Sequence, residues 1–253
     1  MQTVVSGFVS AGVITGGRVS LDASIIQAWF RDCRSANNPK HKYKRCRRHR
    51  DRQASWTWDH HKKIYTFGYR VHVLIDCLTG LPLALKVTKG GFSESRTVRH
   101  FVGAAAGLSL RVRMFPADAG YDTYAARRCI IGTLKAVPLI AFNPRGTKGR
   151  TQETGMKRCR RRRRGWYVSS GLMKWFADTQ SDKFNVEYAA RTFSGQVFPI
   201  GKGSLKLDAL KHKGIEWATL HAACICIVML CIARTAVSIG RPDLMQCTKN
   251  FQC

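Results

Sequence analysis

The sequence predicts a mixed α/β fold in which an antiparallel hairpin sits beside parallel strands, with helices flanking the sheet and two basic insertions interrupting it. Three observations carry this. Residues 64–76, IYTFGYRVHVLID, alternate aromatic or branched side chains with polar ones and are followed by a Thr79-Gly80 turn and a second apolar run. Strand-like and helix-like stretches then alternate between 94 and 142. The last third of the chain is apolar at helical spacing.

Taken in order, RVSLDASI at 18–25 reads as a short first strand with Asp22 near its middle. Residues 31–63 hold twelve Lys or Arg against three Asp, and their centre, KHKYKRCRRHRDR, has no apolar period with which to pack. This segment is expected as a basic insertion. The hairpin follows as 64–76 and LPLALKVT at 81–88, with Asp76 a turn residue at the end of the first arm. Ser93 is placed to cap a helix over about 94–107, and RVRMFPADAGYD is a strand that delivers Asp118 to its tip. Asp122 is the expected cap of a helix over 123–134, and VPLIAF is the next strand, ended by Asn143-Pro144. Residues 145–180 form a second insertion, with Arg160 to Arg164 an unbroken run of five. A helix carrying Glu187 comes next, and helices fill 205–245. The whole of 1–253 is expected as one domain.

Charge narrows the function. Of 253 residues, 43 are Lys or Arg and only 15 are Asp or Glu, a net charge of +28. Self-repulsion on that scale points to a polyanionic partner, with nucleic acid first in line. The ten cysteines show no Cys-x-x-Cys spacing, so they read as reduced thiols of a cytoplasmic protein. Residues 1–14 lack a signal-peptide pattern, and the apolar run Ala222 to Ala233 is too short to span a bilayer; no membrane association is expected.

With only four Glu and eleven Asp, carboxylate chemistry has few candidates. Asp22, Asp118 and Glu187 are far apart in sequence, and only a fold could unite them. Converging, they would offer hard oxygen ligands to Mg²⁺ or Mn²⁺, the ions that activate a nucleophile and stabilise a leaving oxygen in phosphodiester displacement. Read alone, each has a plainer role: an edge-strand Asp22, a capping Asp118, a solvated Glu187. His72 reads as a satisfied core histidine. The arginine run serves as a solvated face or as a set of phosphate contacts, and Trp56, Trp58, Trp166 and Trp175 as core residues or stacking platforms.

The words around these residues decide more. LDAS, FGYRVHVLID with TGLPLALKVT, ADAGYD, PLIAFNPRG, WYV at 166–168, VEYAARTFS and IVMLCIARTAVSIGRPDL resemble, in order, the DDE transposases of insertion sequences, in the subgroup with a Tyr-x2-Arg-x3-Glu-x6-Lys signature. The resemblance covers about 12–245. It implies an RNase H-like fold, metal-dependent cleavage at element ends and strand transfer into target DNA. It also implies Asp22, Asp118 and Glu187 as catalytic metal ligands, Mg²⁺ or Mn²⁺ as cofactor, and a homodimer on double-stranded DNA at the nucleoid. Arg45, Arg47, Arg48, Arg160, Arg161, Arg162, Lys183 and Arg191 are the expected DNA contacts.

Departures from the family pattern lie around the glutamate. Lys183, Gln180 and Ser194 stand at the signature's Arg, Tyr and Lys positions. Three residues, Tyr188-Ala189-Ala190, separate Glu187 from RTFS, where members often read Val-Glu-Arg-x-Phe-Ser; counting back from RTFS puts Ala190 at the acidic position. The resemblance also leads to the expectation of a copy truncated at the family's N-terminal helical DNA-binding segment. An inactive DNA- or RNA-binding relic is therefore the alternative expectation, and a nuclease without strand transfer a third.

Overall fold

The computed structural model describes residues 1–29, 51–59, 62–141, 182–189, 191 and 196–248. Its centre is a six-stranded sheet. Strand β1 (Val19–Gln27) pairs antiparallel with β3 (Ile64–Asp76) on one side and parallel with β5 (Met114–Ala117) on the other. Strand β5 pairs parallel with β6 (Val137–Ile140). Strand β4 (Pro82–Lys89) pairs with β3 over Tyr69 to Ile75, and β2 (Ser55–Asp59) pairs with β3 over Ile64 to Gly68. Antiparallel strands on one side of β1 and parallel ones on the other make the mixed RNase H-like sheet that the resemblance implies.

Alternation along the strands builds two cores, one on each face. Val19 and Leu21 of β1 and Leu74 of β3 point to one face, where α2 (Val98–Gly107) and α3 (Tyr124–Leu134) supply Phe101, Val102, Ala105, Ala126 and Ile130. Ile26 of β1 and Tyr69, Val71, Val73 and Ile75 of β3 point to the other, against α5 (Val197–Gly203) and α6 (Ile215–Ser238). From Phe67 to Asp76 every residue of β3 except the half-buried Arg70 is buried, as expected for a strand covered on both faces.

The local chemistry follows the sequence closely in the hairpin. Asp76 accepts from the Thr79 backbone N–H at 3.0 Å and from its hydroxyl at 2.8 Å, and Gly80 takes the positive φ of 68° that closes the turn. Helix α3 differs in its cap. Thr123, not Asp122, accepts from the Ala126 N–H, at 3.2 Å, while Asp122 binds Arg127.

Three elements depart from the sequence reading. Gln2–Ser10 forms a short helix, α1, whose Val5 and Phe8 enter the first core. Within the segment expected as a basic insertion, Ser55–Asp59 joins the sheet as β2, its Trp56 packing on Phe67 and Trp58 edge-on to Tyr65. Helix α6 is longer than the apolar run suggests: at 24 residues and a mean hydropathy of 2.1 over 18 of them, it is long and apolar enough to cross a membrane by length and composition. One face of it is nonetheless packed in the protein. Ala218, Ala222, Ile225, Met229, Ala233 and Ala236 recur at helical spacing and are buried.

Gly68 is where β3 lies between its neighbours most tightly. A Cβ there would collide with the Ile26 carbonyl oxygen and sit 3.0 Å from the Ala28 nitrogen, both backbone atoms that cannot rotate away. Gly68→Ala should therefore cost about 2–3 kcal/mol, the scale of overpacking a core. A lower urea midpoint at unchanged m-value is the expected readout.

Candidate active site

Pairing β1 with β5 in parallel sets Leu21 beside Ala117, so the next residue on each strand, Asp22 and Asp118, emerges from neighbouring positions. The two carboxylates meet a single cation. Arg191 Nη2 lies 3.4 Å from Asp22 Oδ1 and 3.8 Å from Asp118 Oδ2. Asp118 sits at the strand tip and is half exposed, its carboxylate accepting from the Ala119 N–H to cap a 3-10 turn, Ala119–Tyr121. The plainer capping role thus coexists with its place in the pair.

Asp22 is less exposed, and burial pushes its pKa above the usual carboxylate range. Arg191 and the Ala23 N–H pull it down, while Asp118 adds to the rise. Two acids held together inside a protein repel, and one positive charge between them offsets that repulsion.

Glu187 lies on α4 (Asp182–Ala189) and takes a different partner. Its Oε2 meets Arg18 Nη2 at 2.7 Å, without the geometry of a hydrogen bond, at the start of β1. The sequence expects Glu187 with the aspartates; the ion pairs to Asp22 and Asp118 come from Arg191, four residues further on. Tyr188 accepts from Arg191 Nη1 at 3.2 Å and reaches the Ala117 carbonyl at 3.4 Å, so this stretch of chain is fixed to the end of β5. Among the described residues no group of three His, Cys, Asp or Glu side chains stands ready to hold a metal ion. The Asp22–Asp118 pair does fit one: it is all-oxygen, comes from two rigid strands, and already converges on a positive charge.

Two further charged residues border the pair without any signal in the sequence reading. Glu94 begins a 3-10 turn, Glu94–Thr97, and forms an ion pair with Arg70 of β3, whose Nη2 also donates to the Thr57 hydroxyl at 2.8 Å. Burial raises the pKa of Glu94, Arg70 lowers it, and Asp118 and Asp22 raise it again. The one clue to Glu94 was scarcity, since it is one of four glutamates in a strongly basic chain.

The remaining predicted site residues divide plainly. Arg191 is at the aspartates. Lys183 belongs to α4, but its side chain lies outside the described residues. Arg45, Arg47, Arg48, Arg160, Arg161 and Arg162, with Trp166 and Trp175, are also outside them.

His72 is a core histidine, fully buried, its Nδ1 3.2 Å from the Tyr121 hydroxyl and its Nε2 2.9 Å from that of Thr88. Through Tyr121 it braces the turn that Asp118 caps. Burial, then Arg70 and Lys86, lower its pKa to about 3. The unfolded chain therefore takes up a proton near pH 6.5 that the folded chain refuses, and stability should fall as pH drops from about 6.5 toward 3. His72→Gln should flatten that part of the stability–pH curve, measured by urea unfolding at successive pH values.

Comparison with known proteins bears on this geometry. A family model described as the transposase DDE domain matches residues 20–194, which include both aspartates and Glu187. No curated protein matches the chain. Among solved structures, the Mos1 transposase paired-end complex with left transposon end is similar at 14% identity and a TM-score of 0.28; the alignment covers 84% of this chain and 62% of that one. A family match over most of the chain, beginning two residues before Asp22, makes this protein a member of the DDE transposase domain family.

Proposed function

We propose that the protein is a DNA transposase that cleaves phosphodiester bonds at the ends of its element and joins the freed 3′-hydroxyl to target DNA. The observation that supports this best is the meeting of Asp22 and Asp118, distant in sequence, across a parallel strand pair and around one cation. Asp22, Asp118 and Glu187 would hold Mg²⁺ or Mn²⁺. When bound, such ions supply a deprotonated nucleophile and stabilise the leaving oxygen of an in-line displacement.

The chain's own residues account for the rest. Strands β1 and β5 fix the two carboxylates, so little reorganisation remains when substrate arrives. Arg191, already on the pair, would turn its guanidinium to a phosphate oxygen of the scissile group once a metal takes its place. The basic segments 31–63 and 145–180 would hold flanking phosphates and position the duplex without reading its sequence. Two element ends call for two copies of the chain, hence a homodimer on DNA, acting in the cytoplasm at the nucleoid.

A second reading, a catalytically inactive DNA- or RNA-binding relic, is favoured by one observation. Glu187 is engaged by Arg18, and a cation occupies the aspartate pair. The two readings separate on activity. Asp22→Asn, Asp118→Asn and Glu187→Gln should each abolish Mg²⁺-dependent cleavage while leaving DNA binding nearly intact, because each removes a metal-binding charge yet makes the protein more basic. Wild-type protein that binds DNA but cuts nothing with Mg²⁺ or Mn²⁺ would establish the relic. In either case, binding should weaken steeply with salt, at a log–log slope near −9 for roughly ten phosphate contacts. A slope shallower than about −3 would remove one or both basic segments from the DNA.

A further inference from the structure

Helix α6 is apolar on two sides, and the fold covers only one of them. Opposite its buried alanine-rich face, Trp217, Leu220, Cys224, Val228, Cys231 and Thr235 stand exposed at intervals of three and four residues. At 3.6 residues per turn these six fall within about 80° of one another, so they form one stripe along the helix. Trp217 and Leu220 are each about half exposed. An apolar groove between α6 and β4, lined by Val87, Ile215, Thr219, Leu220 and Ala223, flanks the first turns of the stripe. A continuous apolar stripe left in water marks a contact surface rather than a scatter of single exposed residues.

The charges beside the stripe say what fits it. Glu216 and Arg234 are the only Asp, Glu, Lys or Arg in α6, and both are exposed. They lie eighteen residues apart, five turns of about 3.6 residues, and so on the same flank of the stripe. A parallel partner helix would bring each charge only to its own end of that helix. An antiparallel copy brings Glu216 of one chain beside Arg234 of the other, twice over, which is the self-complementarity of a two-fold interface. A bilayer offers no such match, and spanning one would strip the buried face of α6 from the sheet.

We propose that the exposed stripe of α6 is the surface through which two copies of this chain associate, their α6 helices antiparallel about a two-fold axis near Ile225. For its role this rests on the reading of a homodimer at two element ends; the association itself does not depend on DNA. The 24 residues of α6 span about 36 Å, and a contact about 10 Å wide covers about 360 Å² per copy. That is less than the roughly 800 Å² per partner of a standard interface, so the free protein associates weakly. Repulsion between two chains of net charge +28 weakens it further, and salt relieves that repulsion. The axis also sorts the two exposed cysteines of the stripe. Cys224 lies within about 3 Å of its counterpart along the helix direction, whereas Cys231 lies about 18 Å from its own.

Sedimentation velocity of the full chain without DNA tests this. A reversible dimer in the micromolar range is expected, and it should tighten as salt rises, the opposite sign to DNA binding. Leu220→Lys with Val228→Lys should leave a monomer whose thermal unfolding is little changed, since both side chains face solvent. Glu216→Arg and Arg234→Glu should each change the dissociation constant a few-fold, and the two together, which leave the net charge as it was, should restore it. A short bismaleimide should link the wild type, with the linked yield lost in Cys224→Ser and kept in Cys231→Ser. A monomer at every concentration and salt, or a dimer indifferent to the lysine pair and the charge swap, overturns the proposal. So does flotation with neutral phosphatidylcholine vesicles, which makes the stripe a lipid contact, or resistance of Cys224 to alkylation in the monomer, which means the chain covers the stripe itself. A dimer that passes these tests yet neither binds nor cuts DNA supports the interface and overturns the transposase reading. Cutting of paired ends by the lysine-pair variant supports that reading and overturns the role given to this face.

Discussion

Repulsion between Asp22 and Asp118 is the constraint that the neighbouring structure serves. The parallel pairing of β1 and β5 forces the two acids together, and burial makes the charge on Asp22 costly to keep. Left alone, Asp22 would favour protonation or the two would move apart. Arg191 opposes both outcomes, and its own position depends on Tyr188, which ties it to the end of β5. On the opposite side of Asp118, His72 and Tyr121 hold the turn with neutral groups that add no charge to an already crowded region. Rigid strands, a neutral brace and one guanidinium together keep two like charges in place.

The same economy explains why so basic a protein places its few acids as it does. Of four glutamates, Glu94 and Glu187 lie in or beside this region, and each is matched by an arginine from the sheet, Arg70 or Arg18. Arginine suits the task because its planar fork can hold two partners at once, as Arg70 does with Glu94 and Thr57. Under the proposed function, the positive excess of the whole chain would draw the polyanion in, and the described carboxylates would gather where the chemistry is expected.

Much of this was legible in the sequence wherever local patterning and tertiary demand agree. The hairpin, the Asp76 turn, the strand that delivers Asp118 and the helix beginning after Thr123 all follow from period and turn chemistry, and a satisfied core role for His72 follows from its place in an apolar strand. Failures came where long-range packing overrode composition. Ser55–Asp59 belongs to the sheet although it ends a block dominated by charge, because Trp56 finds Phe67 and Thr57 finds Arg70. Helix α1 has too few residues to announce itself and is held by Val5 and Phe8, with Val4 and Val9 packed beside them. Glu94 had no motif at all: its pairing with Arg70 and its place beside Gly120 are set by tertiary packing alone.

The stretch around Glu187 is where the sequence departs most from the family pattern and where two ion pairs divide. Glu187 pairs with Arg18, just before β1, whereas Arg191 reaches Asp22 inside that strand. Arg18 and Asp22 are four residues apart, about 13 Å along an extended chain, so the two contacts fall at different levels of the sheet. Family members that read Val-Glu-Arg place the acid next to the arginine; here Tyr188-Ala189-Ala190 intervenes. The departure in sequence and the separation of the two ion pairs thus fall on one short stretch of chain, and it is Arg191 that this stretch brings against Asp22 and Asp118.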